Sequence, residues 1–416
     1  MIYFRVRLYE YMVTPFFAKA VLILGCIWPI SCQAQTWTPQ PEFPGVERDD
    51  GTSFVVGSTA YCGTGITAGF GTWADFYAFD MDAGTWSNIA SLPTSEIRQY
   101  AVGFSGGAYG YVFGGTDAGI FFNDLWRYDP ELDSWTPMTP MPAEGRSGAM
   151  CFVIGEDAYI MGGKTPELQA LDEVWVYHMD TDSWEQKAPM PFGSRWRASA
   201  AAIEGLGYLI FGRDAELADY NTAYRYDPTL DEWTALEPFP GVGRIYVAMQ
   251  VVGNHLMTFS GSDLSSNIYA DLWRFDVTTQ TWTALTPLPA PARRGGMSFT
   301  DGSNFYYTTG LNADFERLKE TWKASGLTNV EDMYGGTGMA LYPNPCEDVC
   351  YLKMKEIQPS AHVDLRVCDA RGRTWIEYSG TYSDEMQIDI SNLDCGLYII
   401  QLIHEKGAYN GRLVKY

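Results

Sequence analysis

The sequence predicts an all-β chain: a six-bladed β-propeller followed by a small β-sandwich. Three observations predict it. Tryptophans stand 49 residues apart at Trp37, Trp86, Trp135, Trp184, Trp233 and Trp282. A glycine column keeps the same step, at Gly65, Gly114, Gly163, Gly212, Gly261 and Gly310. Beyond residue 338 the period stops, but short runs of alternating apolar residues continue. A fixed period of this length is the mark of a tandem array of small units that bury their cores against one another.

One unit shows what is repeated. Residues 147–154 form a small, mostly apolar run, suited to an inner strand buried on both faces. Gly155-Glu156-Asp157 is a turn, residues 158–161 are a second strand, and Gly162-Gly163 ends it. Val174-Trp175-Val176-Tyr177 is a third strand; a turn at Asp180-Thr181-Asp182 leads to a short fourth strand at Trp184. Met190-Pro191 closes the unit, and prolines recur in step at Pro44, Pro93, Pro142, Pro240 and Pro289. Four short antiparallel strands in tandem make a propeller blade. A second aromatic column runs Tyr77, Trp126, Trp175, Tyr224, Trp273 and Trp322.

The columns also predict how the ring closes. The next member of the tryptophan column would fall at 331, where Glu331 stands, so the sixth blade takes its outer strand from Thr36-Trp37-Thr38. The propeller is therefore expected to span residues 36–325, with the N-terminal strand protecting an otherwise open sheet edge.

Composition narrows the function. The 416 residues carry 51 acidic and 28 basic side chains, a net charge of −23. The excess lies in residues 36–337, with 39 acidic against 17 basic. This excludes a nucleic-acid binder acting through bulk charge. Aromatic content of 15 % excludes a disordered chain. Ten of the 14 tryptophans belong to the two repeat columns, so the aromatic excess is mainly architecture.

Residues 1–35 read as a secretory signal peptide: Arg5, Arg7 and Lys19, then an apolar run at 20–30, then small polar residues to Gln35. Eleven apolar residues are too few to span a bilayer core of about 30 Å, and no other segment reads as membrane-spanning. A lipidated Cys26 or Cys32 is the competing reading. Residues 326–338 are expected to be a linker. Residues 339–416 open on Leu341-Tyr342-Pro343-Asn344-Pro345. They continue through Val363-Asp364-Leu365-Arg366-Val367 and Gly396-Leu397-Tyr398-Ile399-Ile400, and end on Arg412-Leu413-Val414-Lys415-Tyr416. Four cysteines lie here, at 346, 350, 368 and 395, allowing three disulfide connectivities. The order of motifs resembles the type A C-terminal sorting domain of the type IX secretion system. That resemblance implies export to the bacterial surface or beyond it, with the secretion machinery as partner.

The segment Phe113-Gly114-Gly115, then Asn123-Asp124-Leu125-Trp126-Arg127-Tyr128-Asp129-Pro130, then Trp135 and Met141-Pro142, resembles a kelch repeat. The resemblance implies the propeller fold and leaves function open, since kelch propellers include enzymes and binding modules.

Candidate chemistry is expected where the loop between second and third strands meets the loop that enters the next blade. A fifth column enters there: Arg146, Arg195, Arg244 and Arg293, with Arg98 displaced by one and Arg197 and Arg294 beside it. Guanidinium groups are planar forks suited to carboxylate or phosphate. Arg98, Arg146, Arg195, Arg197, Arg244 and Arg293 are accordingly the expected ligand-binding set, for an anionic glycan or a protein. The alternative is that each arginine bonds to loop carbonyls or to acids such as Asp117, Asp214 or Asp263. No catalytic residue, metal site or cofactor is assigned. Calcium-loop spacing and Cys-x₂-Cys are absent from the sequence, and only His178 and His255 lie in the propeller. The function expected is a secreted binding module. The second reading, by resemblance to the secreted kelch sialic-acid epimerases, is a carbohydrate isomerase in which arginine holds a carboxylate and an acid moves a proton.

Overall fold

The structure, a computed structural model, describes residues 35–327 and 339–415, without 345, 347, 355–356, 370–372, 384 and 405–406. The expected signal peptide falls outside the described residues except for Gln35, as does the expected linker from 328 onward. The described residues form strands and turns and no helix.

Residues 36–325 build six four-stranded antiparallel sheets. The third shows the pattern: Met150–Ile154, Asp157–Met161, Val174–His178 and Ser183–Lys187, paired in that order. The second strand is the most buried, because it has a strand on each side and a blade on each face. Ala158, Tyr159, Ile160 and Met161 are all buried, whereas Ser183–Lys187 alternates exposed and half-buried residues. In the sixth sheet Met297–Thr300, Phe305–Thr308 and Thr321–Ser325 are joined by Thr36–Gln40, with Trp37 opposite Ala324.

The tryptophan column fastens each blade to the one before it. Trp86, Trp135, Trp184 and Trp282 donate their indole N–H to the carbonyls of Pro41, Ala90, Thr139 and Glu237 at 2.8–3.2 Å. Trp37 does the same to Thr286 at 2.9 Å, so the closing strand is held by the same joint as the others. Each ring also packs on its neighbours, as Trp135 does on Phe76 and Tyr128, at centroid distances of 4.9 and 5.0 Å. Only Trp233 lacks a partner for its N–H within this column.

The C-terminal domain is a two-sheet sandwich. A three-stranded sheet (Met339–Tyr342, Val349–Met354, Met386–Asp389) and a four-stranded sheet (Thr374–Thr381, His362–Asp369, Gly396–His404, Gly407–Lys415) enclose one core. The alternation of Val363, Leu365 and Val367 with exposed Asp364 and Arg366 places one face of that sheet inward.

Candidate functional site

The arginine column enters the blades from the expected loops but is buried. Arg48, Arg98, Arg146, Arg195, Arg244 and Arg293 are among the most deeply buried side chains of the chain, at 0–3 % exposure. Apart from Arg195 they share one bonding scheme, of which Arg293 lacks the second bond. Nε donates to the carbonyl two residues back, as Arg98 does to Glu96 at 2.9 Å. Nη1 donates to the carbonyl 16 residues on, as Arg98 does to Gly114 at 3.0 Å and Arg244 to Ser260 at 3.1 Å. A terminal nitrogen then meets an acid just before the third strand: Asp75, Asp124, Glu173, Asp271 and Glu320 serve Arg48, Arg98, Arg146, Arg244 and Arg293.

This acid stands two residues before the second aromatic column. The indoles of Trp126, Trp175 and Trp273 donate to it at 2.7–3.0 Å. Arginine, acid and tryptophan are thus one repeated unit that ties the entry loop to the third strand. For Glu173, burial raises the pKa, but hydrogen bonds from Arg146 and Trp175 outweigh it and hold the carboxyl below its ordinary value. Arg98, Arg146, Arg195, Arg244 and Arg293, expected to face a ligand at the rim, are buried in the structure, and all but Arg195 pair with an acid of their own blade. The partner acids are also not those the sequence suggested. Asp214 and Asp263 instead accept from the hydroxyls of Tyr220 and Tyr269, each at 2.7 Å, and Asp117 accepts from Thr72.

Two positions after each column arginine lies a second ring: Asp50, Tyr100, Gly148, Arg197, Tyr246 and Gly295. All six adopt a left-handed backbone, with φ between 53° and 67°. Four of the six are not glycine, and such residues in this region carry a backbone cost. Backbone hydrogen bonds run from one member to the next: Asp50 N to Gly295 O (2.6 Å), Tyr100 N to Asp50 O (2.9 Å), Gly148 N to Tyr100 O (3.0 Å), Arg197 N to Gly148 O (2.8 Å). The ring lines the head of a central cavity of about 250 Å³. Beyond it the walls are small: Ala101, Ala149, Ala198, Val247 and Ala248.

Chemistry gathers at this ring. The Arg197 guanidinium lies over the faces of Tyr100 and Tyr246 at 4.0 and 4.3 Å and donates to the Tyr246 hydroxyl. Its Nε is buried without a partner. Arg294 lies over the opposite part of the same site, 4.3 Å from the Tyr246 ring and 3.7 Å from Asp50. Asp50 is 5 % exposed, and its Oδ1 has no hydrogen-bond partner. Burial, then the neighbouring Asp49 carboxylate, pushes the Asp50 pKa up to about 7, against the opposing pull of Arg197, Arg294 and a hydrogen bond from Tyr100. Asp49 itself is held by Arg317 at 2.6 Å and Arg294 at 3.4 Å. A second cleft of about 230 Å³ shares Arg197, Tyr246 and Arg294 and opens toward Leu264 and Phe315. Of the six arginines expected to bind ligand, only Arg197 lines the central cavity; Arg294, its neighbour in the site, stood beside the column.

Among known proteins, the chain matches the KLHDC2/KLHL20/DRC7 Kelch-repeats domain over residues 24–163, 111–244 and 148–329. It matches the secretion system C-terminal sorting domain over residues 340–416. Among curated proteins it is 28 % identical to Kelch-like protein 35 of Mus musculus over 131 residues, 32 % of this chain and 22 % of that one. It is 30 % identical to N-acetylneuraminate epimerase of Haemophilus influenzae (strain PittEE) over 148 residues, 34 % of this chain and 36 % of the epimerase. The aligned stretch thus spans little more than a third of these relatives at most. The solved structure titled "Structure of YjhT" aligns with a TM-score of 0.59 at 18 % identity, covering 68 % of this chain and 95 % of that one, which shows the shared fold. The chain belongs to the kelch-repeat family and carries a type IX sorting domain, which directs it to the cell surface or the extracellular space.

Proposed function

We propose that this exported propeller binds a small carboxylate-bearing ligand where the head of its central cavity meets the adjoining cleft, both of which Arg197 and Tyr246 line. Arg197 and Arg294 receive the carboxylate, and Asp50 meets a hydroxyl or other donor of the same molecule. The observation that carries this reading is a pair of buried polar atoms without hydrogen-bond partners, Arg197 Nε and Asp50 Oδ1, beside one cavity. Buried polar groups are nearly always paired, and a ligand with one acidic and one donor group would pair both. The tyrosines fix the Arg197 guanidinium before the ligand arrives, which lowers the ordering cost of binding.

The test is calorimetric titration with N-acetylneuraminate, and with N-acetylglucosamine as the uncharged control. Binding of the acid alone is expected, with a loss of at least tenfold in Arg197→Ala and in Arg294→Ala, each shown to be folded by circular dichroism at the titration temperature. Equal binding by the variants and the parent protein would sink the proposal.

A second reading is favoured by one observation, the Asp50 pKa near neutrality. A carboxyl so placed suits a general base at physiological pH. Together with the similarity to N-acetylneuraminate epimerases, it supports an isomerase that takes a proton from a sugar hydroxyl. Anomer interconversion followed by NMR distinguishes the two readings. Turnover abolished by Asp50→Asn supports the isomerase, and binding without turnover leaves the binding module.

A further inference from the structure

The four cysteines of the sorting domain admit three pairings by sequence, and the structure separates them. Cys346 and Cys350 are both buried in the sandwich core, at 1 % and 0 % exposure, with their side chains within hydrogen-bonding reach of each other. Cys368 and Cys395 are not so placed. Cys368 stands opposite Ile399 in the sheet, and its sulfur lies 3.4 Å from the Thr374 hydroxyl. Cys395 is exposed and precedes the strand Gly396–His404, four residues before Ile399. At about 3.3 Å per residue that is roughly 13 Å along the strand, beyond the Cα separation of about 4.4–6.8 Å that a disulfide bridges.

We propose that Cys346 and Cys350 form a disulfide during export, and that Cys62, Cys151, Cys368 and Cys395 stay thiols. The bond forms by thiol–disulfide exchange with an oxidised protein dithiol outside the cytoplasm. One cysteine thiolate attacks the oxidant's disulfide, and the second displaces the resulting mixed disulfide. The two thiols lose two protons and two electrons, and the oxidant leaves as a dithiol. The chain's export supplies the oxidising compartment. Burial pushes the Cys350 thiol up to about 12, so little thiolate exists in the folded domain. Oxidation therefore precedes closure of the core, and the finished bond is shielded from reductant.

The location gives the bond a purpose. Cys346 donates its backbone N–H to Val414 in the last strand at 2.9 Å, and bridges to Lys415. Cys350 lies in Val349–Met354 and pairs with Ile388, both in the three-stranded sheet. The disulfide would pin the segment between Met339–Tyr342 and Val349–Met354, which touches the last strand of the four-stranded sheet through Cys346, in a domain too small to gain much from its core alone.

The test uses the full chain, sorting domain retained, exported to the periplasm of a host. It is unfolded in N-ethylmaleimide with and without prior reduction, digested with trypsin and weighed. Cys346 and Cys350 share the tryptic peptide 324–353. That peptide is expected unlabelled and two mass units light before reduction, and doubly labelled after it. Label on Cys62, Cys151, Cys368 and Cys395 is expected in both samples. Double labelling of the 324–353 peptide without reduction would overturn the proposal, as would a crosslink from either cysteine to Cys368 or Cys395. A drop in the urea midpoint of the exported chain on adding reductant, absent from the Cys346→Ala/Cys350→Ala variant, is expected as well. Equal midpoints with and without reductant in the parent chain would count against the bond.

Discussion

Two rings of six residues lie two positions apart in this propeller, and they are opposites. The column ring is arginine in every blade, buried, and tied in five blades to an acid. The ring two residues on holds an aspartate, two tyrosines, an arginine and two glycines, and it lines the cavity. What repeats is the joint between loop and blade, which every blade needs. What breaks the repeat is the set of groups a ligand would meet, because an asymmetric small molecule presents different chemistry to each blade. In a tandem array, departures from the period are therefore the better guide to a site than the period itself.

The comparison can be broken most severely at the joint that closes the ring. Deleting residues 35–40 removes the outer strand of the sixth sheet and the Trp37 bond to Thr286. Loss of the cooperative unfolding transition is expected, measured by circular dichroism on heating. Next comes the column. Asp75→Ala leaves the fully buried Arg48 guanidinium without its carboxylate, at an expected cost of about 3–5 kcal/mol in urea denaturation. Arg48→Met/Asp75→Leu removes both charges and should restore most of that loss.

The fourth junction tests the column from the other side. Thr222 stands where the other blades have an acid, and Arg195 instead lies 3.6 Å over the Tyr220 ring and donates to the Ser194 carbonyl at 2.7 Å. The Thr222 hydroxyl and the Arg195 Nε are both buried without partners. Thr222→Asp is expected to stabilise the protein by about 1.5–3 kcal/mol, the range of a hydrogen bond to a charged group. A destabilised variant would show that the arginine column does not call for acids at this position.

The two rings should also differ in the sign of their pH dependence. Glu173 has a depressed pKa, so its contribution is present above its unfolded value of 4.5 and is lost as pH falls. Asp50 has a raised pKa, so the folded state takes up its proton before the unfolded state does. Its contribution is present below 3.8 and is lost as pH rises through about 7. Asp50→Asn should flatten stability between about pH 4 and 7. Glu173→Gln should act on the acid limb alone. The smallest expected effect is on Arg197→Gln, whose guanidinium rests on tyrosine faces; its stability should change by about 1 kcal/mol or less.

The fold was legible because the aromatic and glycine columns repeat without a gap, and periodic burial leaves periodic residues. The arginines were visible for the same reason, but their partners were not. The partner position holds Asp, Asp, Glu, Thr, Asp and Glu, at 26 or 27 residues' remove, and no single residue type marks it. Its position two residues before the second aromatic column was the signal available. The site ring was harder still. Asp50, Tyr100, Arg197 and Tyr246 include an acid, a base and two phenols; what all of them share is a backbone conformation that side-chain identity does not announce.

Thr38 hydrogen-bonds to the carbonyl of Lys323, 285 residues further along the chain. The first and last parts of the propeller are thus one sheet, so the ring has no complete form until its last blade has been synthesised. Pairings of this kind close the longest loops in the domain, which slows folding and leaves the Thr321–Ser325 strand of the sixth sheet unpaired on one side meanwhile.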